Sequence, residues 1–196
     1  MSATGAYAAA VLRRRLLMLA PLGVAVAGGA AFWTMLNRMQ VGKFDPHDIG
    51  NPMLGKPIPD FDLPGVGSLA GFSSADLRAA AARQPVVLNF FASYCIPCAE
   101  EAEMLDALKQ QGVQIWGIAW EDDPAKTADF LSRYGNPFTR VASDRRGTTF
   151  INFGLYGVPE SFVIGSTGHI AWHLAGPISP EIAEKGLLPA LRRASS

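Results

Sequence analysis

The sequence is poor in cysteine: only two occur in 196 residues, Cys95 and Cys98. A scaffold stapled by several disulfides is excluded, and any disulfide within one molecule must join these two. Charge is sparse and balanced, with 17 Lys and Arg against 17 Asp and Glu and a formal net charge of zero. No run of like charge exceeds the triplet Arg13, Arg14 and Arg15. This argues against nucleic acid as a partner, because phosphate binding requires a concentrated basic surface. Internal repeats are absent, as is low-complexity sequence apart from alanine clusters. What remains has room for one domain of about 150 residues.

Long apolar runs are missing too, with one exception. Residues 16–36 carry no charge, about the length of a bilayer-crossing helix at a rise of about 1.5 Å per residue. The three arginines precede this run and Trp33 lies near its far end, the pattern of an anchor whose residues 1–15 stay in the cytoplasm. Arg38 and Lys43 on the far side weaken the charge asymmetry. A cleaved signal peptide is the alternative, since Ala25-Val26-Ala27 resembles a small-residue cleavage site, but the apolar run continues well past it. Both readings export the rest of the chain. Residues 37–54, rich in Gly, Pro and Asp, read as a linker, and residues 55–196 as the exported domain.

Within that domain, residues 58–63 read as irregular or short-strand structure. In "FSSADLRAAAARQ", Ser73 or Ser74 is placed to cap a short helix. "PVVLNFFAS" and "VQIWGIAW" are apolar runs with β-branched and aromatic residues, the mark of buried central strands. The helix after Cys95 runs to about Gln111 and stops at Gly112. "DDPAKTADFLSRYG" opens a helix with an acidic residue before a proline and closes it at Gly135. "TRVASD" reads as a short strand and "GTTFINFG" as one or two helical turns. "ESFVIG" and "IAWHLAG" read as strands joined by a tight turn at "STGH". "SPEIAEKGLLPALRRAS" reads as a closing helix capped by Ser179 and interrupted by Gly186 and Pro189. Strands alternating with helices and ending in a hairpin imply an α/β sandwich with a mixed sheet.

The two cysteines admit three readings. As a structural staple they are poor, since a ring this small removes little unfolded-chain entropy. For zinc, His169 and His173 add an H-x3-H spacing, yet the predicted strand separates them by about 13 Å at about 3.3 Å per residue, too far to share an ion. Two inert, buried thiols are the third reading. Position favours chemistry instead: Cys95 opens a helix, where unpaired N–H groups and the dipole stabilise a thiolate, and Cys98 lies one turn inside. An exposed nucleophile followed by a sheltered resolving thiol is the layout of thiol–disulfide exchange.

"LNFFASYCIPC", with Pro97 between the cysteines, resembles the strand, turn and helix start of the thioredoxin superfamily. "GLYGVPESFVI" is similar to its downstream segment, in which the residue aligned with Pro159 follows a cis peptide bond facing the cysteines. "GKPIPDF", "EDDPAKTADFLSRYGNPF" and "HLAGPI" stand where the CcmG/DsbE family has its leading segment, central insertion and post-hairpin strand. That family comprises membrane-anchored thioredoxin-like proteins of cytochrome c biogenesis. The resemblance runs from about Gly55 to Leu191 and extends to the N-terminal anchor. It implies a thioredoxin-like α/β fold, with a central mixed β-sheet flanked by helices and an N-terminal transmembrane helix.

The resemblance also implies roles. Cys95 attacks a substrate disulfide and Cys98 resolves the mixed disulfide; Tyr94, Val158 and Pro159 contact the substrate. Tyr94 replaces the family's usual tryptophan with another flat aromatic surface. Glu101 and Glu160 occupy positions that are acidic in the family; nearby carboxylates raise thiol pKa values, which suits a reductant. Asn89 stands where thioredoxin carries a buried aspartate, so a proton acceptor is sought elsewhere, with Glu121 as the candidate. No cofactor is expected beyond the redox-active disulfide. The implied partners are apocytochrome c with its C-x-x-C-H haem site, a DsbD- or CcdA-type membrane electron donor and the haem-ligation machinery. The implied location is the bacterial inner membrane, with the catalytic domain in the periplasm.

A peroxidase of the peroxiredoxin type would need Pro at Leu88 and Thr at Ala92 and has neither. A non-catalytic scaffold binding apocytochrome, a general disulfide reductase, or a reductase serving copper-site assembly or sporulation would carry the same cysteines.

Overall fold

The computed structural model describes residue 21, residues 23–35 and residues 51–195. Residues 23–35 are helical (α1), with every side chain exposed. The predicted anchor over 16–36 extends past the described residues at both ends, and among the described residues no helix is long and apolar enough to cross a membrane. Residues 1–15 and most of the predicted linker also lie outside them.

The second unit, Gly50–Ser196, holds the rest. Its start differs from the expected boundary, because the last residues assigned to the linker are folded. Asn51 is buried; its Nδ2 donates to the Phe153 carbonyl at 3.0 Å, and its Oδ1 accepts from Met53 N at 2.8 Å. A side-chain amide that satisfies buried backbone is invisible to composition, which registers only Gly, Pro and Asp.

A small sheet pairs β1 (Asp62–Leu63) with β2 (Phe72–Ser73). Helix α2 (Ser74–Ala81) follows, capped by Ser73 in a reciprocal pair with Asp76. The main sheet contains β3 (Val86–Phe91), β4 (Gln114–Trp120), β5 (Arg140–Asp144), β6 (Glu160–Ile164) and β7 (Ile170–Ala175). Its order is β5-β4-β3-β6-β7; β3, β4 and β5 are parallel, β6 runs antiparallel to β3, and β7 runs antiparallel to β6 and so in the direction of β3. Three helices connect the strands: α3 (Ile96–Gln110) links β3 to β4, α4 (Pro124–Tyr134) links β4 to β5, and α5 (Thr148–Asn152) leads from β5 towards β6. Gly112, at φ +86°, ends α3, and Asp123 caps α4. The C-terminal helix is interrupted where Gly186 falls: α6 (Pro180–Ile182) and α7 (Leu188–Ala194) flank a π-helical turn, Ala183–Leu187.

All six residues of β3 are buried, so both of its faces build core. Alternation sends Val87, Asn89 and Phe91 to the face covered by α3, where Leu105, Leu108 and Phe130 pack. Val86, Leu88 and Phe90 point to the other face, with Leu77, Phe150, Phe153 and Phe162. Beside β3, Gly117 of β4 makes room for the stacked rings of Phe91 and Phe138, whose centroids lie 4.8 Å apart. A Cβ there would meet both rings at 2.9 Å. Gly117→Ala is therefore expected to destabilise the domain by about 1–3 kcal/mol through overpacking, measured as a lowered midpoint in urea unfolding.

Candidate active site

The path from β3 to α3 passes through Ser93 and Tyr94, and a buried carboxylate fixes it. Asp122, just after β4, accepts from Ser93 N at 2.6 Å and Ser93 Oγ at 2.8 Å, and also from Thr127 Oγ1 at 3.0 Å. The turn that ends β4 thus holds the turn that ends β3. Cys95 is the N-cap of α3, and its sulfur accepts from Cys98 N at 3.1 Å. Pro97 lies in the first turn, where a missing N–H costs nothing. Cys95 and Cys98 are joined as a disulfide. Cys95 is less open than the expected exposed nucleophile, at 8% against 3% for Cys98, though the order of access is kept.

The Val158–Pro159 peptide bond is cis, and the Val158 carbonyl oxygen lies 3.5 Å from Cys95 Sγ. Cys95, Cys98, Val158 and Pro159, scattered over 65 positions of sequence, meet at one place. Tyr94, Ile96 and Tyr156 are exposed large side chains next to the cysteines or on the loop leading to Val158.

The two glutamates lie on opposite faces of the sheet, and both are buried rather than solvated. On the α3 face, Glu101 Oε1 accepts from Asn89 Nδ2 at 2.9 Å and Oε2 accepts from Ile178 N at 2.9 Å. Asn89 Nδ2 also donates to Ser161 Oγ at 3.0 Å. Glu101, Asn89 and Cys98 line one small cavity. Burial lifts the Glu101 pKa to about 7, against the opposing hydrogen bonds from Ile178 N and Asn89. On the other face, Glu160 Oε1 accepts from Tyr156 N at 2.8 Å and Gly157 N at 3.1 Å, while Oε2 lies 2.6 Å from His173 Nε2.

Glu121 sits elsewhere. It is exposed at the end of β4, at φ +43°, with its carboxylate over Gly147. The buried carboxyl that shares a cavity with Cys98 is Glu101; Glu121, expected as the proton acceptor, does not line it. Desolvation, with Asp122 and Glu121 adding to it, raises the Tyr94 phenol pKa. The two histidines weighed for zinc are also apart in role: His169 is exposed near Thr167, and His173 is paired with Glu160.

The link between Asn89 and Glu101 escaped the reading of the sequence, although a signal was present. A lone amide in an otherwise apolar strand needs a buried partner. Glu101, one turn beyond Cys98 on the inward face of α3, is such a partner.

Comparisons with known proteins agree with this geometry. A family model described as Redoxin matches residues 53–190. The chain is 36% identical over 177 residues to the thiol:disulfide interchange protein HelX of Rhodobacter capsulatus, covering 89% of this chain and 95% of that protein. It is 32% identical over 176 residues to the thiol:disulfide interchange protein DsbE of Escherichia coli K12, covering 90% and 94%. A Chlorobium tepidum structure, described as a thiol:disulfide interchange protein DsbE, superposes with a TM-score of 0.58 at 29% identity, covering 70% of this chain and 97% of that one.

The raised Glu101 pKa has a consequence for stability. Between pH 4.5 and about 7 the native state keeps a proton that the unfolded chain has released. Stability is fully present below that window and falls as pH rises through it, by about 3 kcal/mol in total. Urea unfolding at pH 4.5 and pH 8 checks this: the native protein should lose about 3 kcal/mol more across the interval than Glu101→Gln. Parallel losses would contradict the assignment.

Proposed function

The chain belongs to the Redoxin family, alongside the DsbE and HelX thiol:disulfide interchange proteins, and is a thiol:disulfide oxidoreductase; from this premise we propose that it reduces the C-x-x-C-H disulfide of apocytochrome c before haem attachment. The observation that carries the proposal is the Cys95–Cys98 pair at the start of α3, with the Val158 carbonyl against Cys95 and a buried carboxyl behind Cys98.

The cycle starts from the reduced dithiol. Cys95 thiolate, favoured by Cys98 N and the helix start, attacks one sulfur of the client disulfide. A mixed disulfide forms, and the first client sulfur leaves as a thiolate that takes up a proton. Cys98 then gives its proton to Glu101 and attacks Cys95, releasing the second client thiol and closing the Cys95–Cys98 disulfide. Two electrons and two protons pass to the client. With a pKa of about 7, Glu101 can accept and return a proton near neutral pH. Tyr94 and the half-buried Val158 would form the contact surface for an extended client, widened by Ile96 and Tyr156, while Pro159, expected to touch the client, is buried behind Val158.

The Glu101 carboxyl beside Cys98 disfavours a thiolate there and thereby strengthens the reduced protein as a reductant. No bound cofactor is needed. Re-reduction would come from a membrane carrier of the DsbD or CcdA kind, because an oxidising periplasm offers no soluble reductant pool. The apolar run over residues 16–36 would keep the domain near that donor and near the haem-ligation machinery.

Trapping tests the reading. The full chain carrying Cys98→Ser, purified in detergent, is mixed with an oxidised C-x-x-C-H peptide and an unrelated disulfide peptide. Mixed disulfides at Cys95 are then counted by mass spectrometry. Preferential capture of the haem-site peptide is expected; equal capture would indicate a general reductant, and no capture by a folded protein a binding scaffold. In the chain with both cysteines, Glu101→Gln should slow release of the mixed disulfide by about 100-fold at pH 7, followed by quenched-flow alkylation, while the first attack by Cys95 stays within a few-fold.

A further inference from the structure

Among the described residues, His173 is a nearly buried histidine with a carboxylate partner that the exchange chemistry leaves unused. Its side chain is 10% exposed and that of Glu160 is 2%. The two meet on the face of the sheet away from α3, where His173 pairs in register with Phe162 and its ring lies 4.7 Å from the Phe162 ring. Both oxygens of Glu160 are engaged, Oε2 by His173 and Oε1 by the backbone N–H groups of Tyr156 and Gly157. The next residue is Val158, whose carbonyl lies against Cys95 Sγ.

We propose that His173 is a positioning residue for exchange at Cys95: by holding one oxygen of Glu160, it keeps the other on the backbone that carries Val158 over the reacting sulfur. The inference rests on the exchange reading of Cys95 and Cys98.

The physical reason is saturation. A carboxylate this deeply buried is costly unless each oxygen has a donor, and removing one donor leaves the carboxylate to turn towards water or the surrounding groups to rearrange. Either response releases the N–H groups of Tyr156 and Gly157. Gly157 has no side chain to anchor the loop, and nothing lies within 4 Å of where a Cβ would stand. Val158 keeps its side-chain packing against the core, and Gly176 N donates to the Pro159 carbonyl at 2.9 Å, beyond Val158; neither fixes the Tyr156 and Gly157 backbone ahead of it. The imidazole needs only an Nε2–H for this role, and it has one in the cation and in one neutral tautomer. Tyr156, 65% exposed, rides on the same loop, so a loosened loop also moves a surface that faces the client.

The test compares three full-length chains in detergent, all carrying Cys98→Ser: His173, His173→Ala and His173→Gln. The probe is the aromatic disulfide dithiobis(nitrobenzoate) at fixed pH, and the readout is the second-order rate of mixed-disulfide formation at Cys95, with near-ultraviolet circular dichroism reporting the fold. His173→Ala should react about tenfold more slowly, and His173→Gln, which keeps a donor of similar reach, should recover the native rate to within about twofold. Native-rate reaction by a folded His173→Ala protein would overturn the inference. So would a folded His173→Gln protein as slow as that expected for alanine, which decides the matter even if the alanine variant fails to fold. Failure of the His173 parent to react at all would instead remove the exchange reading itself.

Discussion

Strand β3 is enclosed on every side, paired with β4 and β6 and buried on both faces, and the rest of the site is placed by that enclosure. Its register with β6 sets Asn89 opposite Ser161 and Phe90 opposite Glu160. Because neighbouring residues point to opposite faces, one step of register separates the two carboxyl groups. Glu101 reaches Asn89 from α3 on one face, while Glu160 turns to His173 on the other. The strand's C-terminal end delivers Cys95 into the gap between these two polar clusters, at the start of α3.

Each cluster lies towards a different sulfur. On the Glu101 side the buried carboxyl shares a small cavity with Cys98. The Glu160 side reaches Cys95 through backbone alone, by way of Tyr156, Gly157 and the Val158 carbonyl. Asp122 performs the matching task on the chain entering the site, where it holds Ser93. Three buried carboxyl groups thus fix the loop before Cys95, the loop over Cys95 and the wall behind Cys98.

Much of this was legible in the sequence, because local physics wrote it there. The apolar runs of β3 and β4, the caps at Ser73, Asp123 and Ser179, and the stop at Gly112 all depend on neighbours within a few residues. The pairing of Cys95 with Cys98 needed only the absence of other cysteines. Long-range pairs were not legible. The partnerships of Asn89 with Glu101, Asp122 with Ser93 and Glu160 with His173 span between 12 and 29 positions, and only the register of the sheet decides them. The sequence offered Glu121 as the proton acceptor and Glu101 only as a carboxylate near the thiols; burial tells them apart, since Glu121 is exposed at the end of β4 and Glu101 sits in the core.

Direction of electron flow is the central claim, since the same geometry in a different field would serve an oxidant. The measurement that addresses it most directly is the equilibrium between the reduced full-length chain and an oxidised C-x-x-C-H peptide, quenched with acid and read by mass after alkylation. Transfer of most electron pairs to the peptide, leaving Cys95 and Cys98 joined, is the result expected of a reductant with a buried carboxyl beside its resolving thiol. A mixture in which the protein stays reduced and the peptide stays oxidised would contradict it.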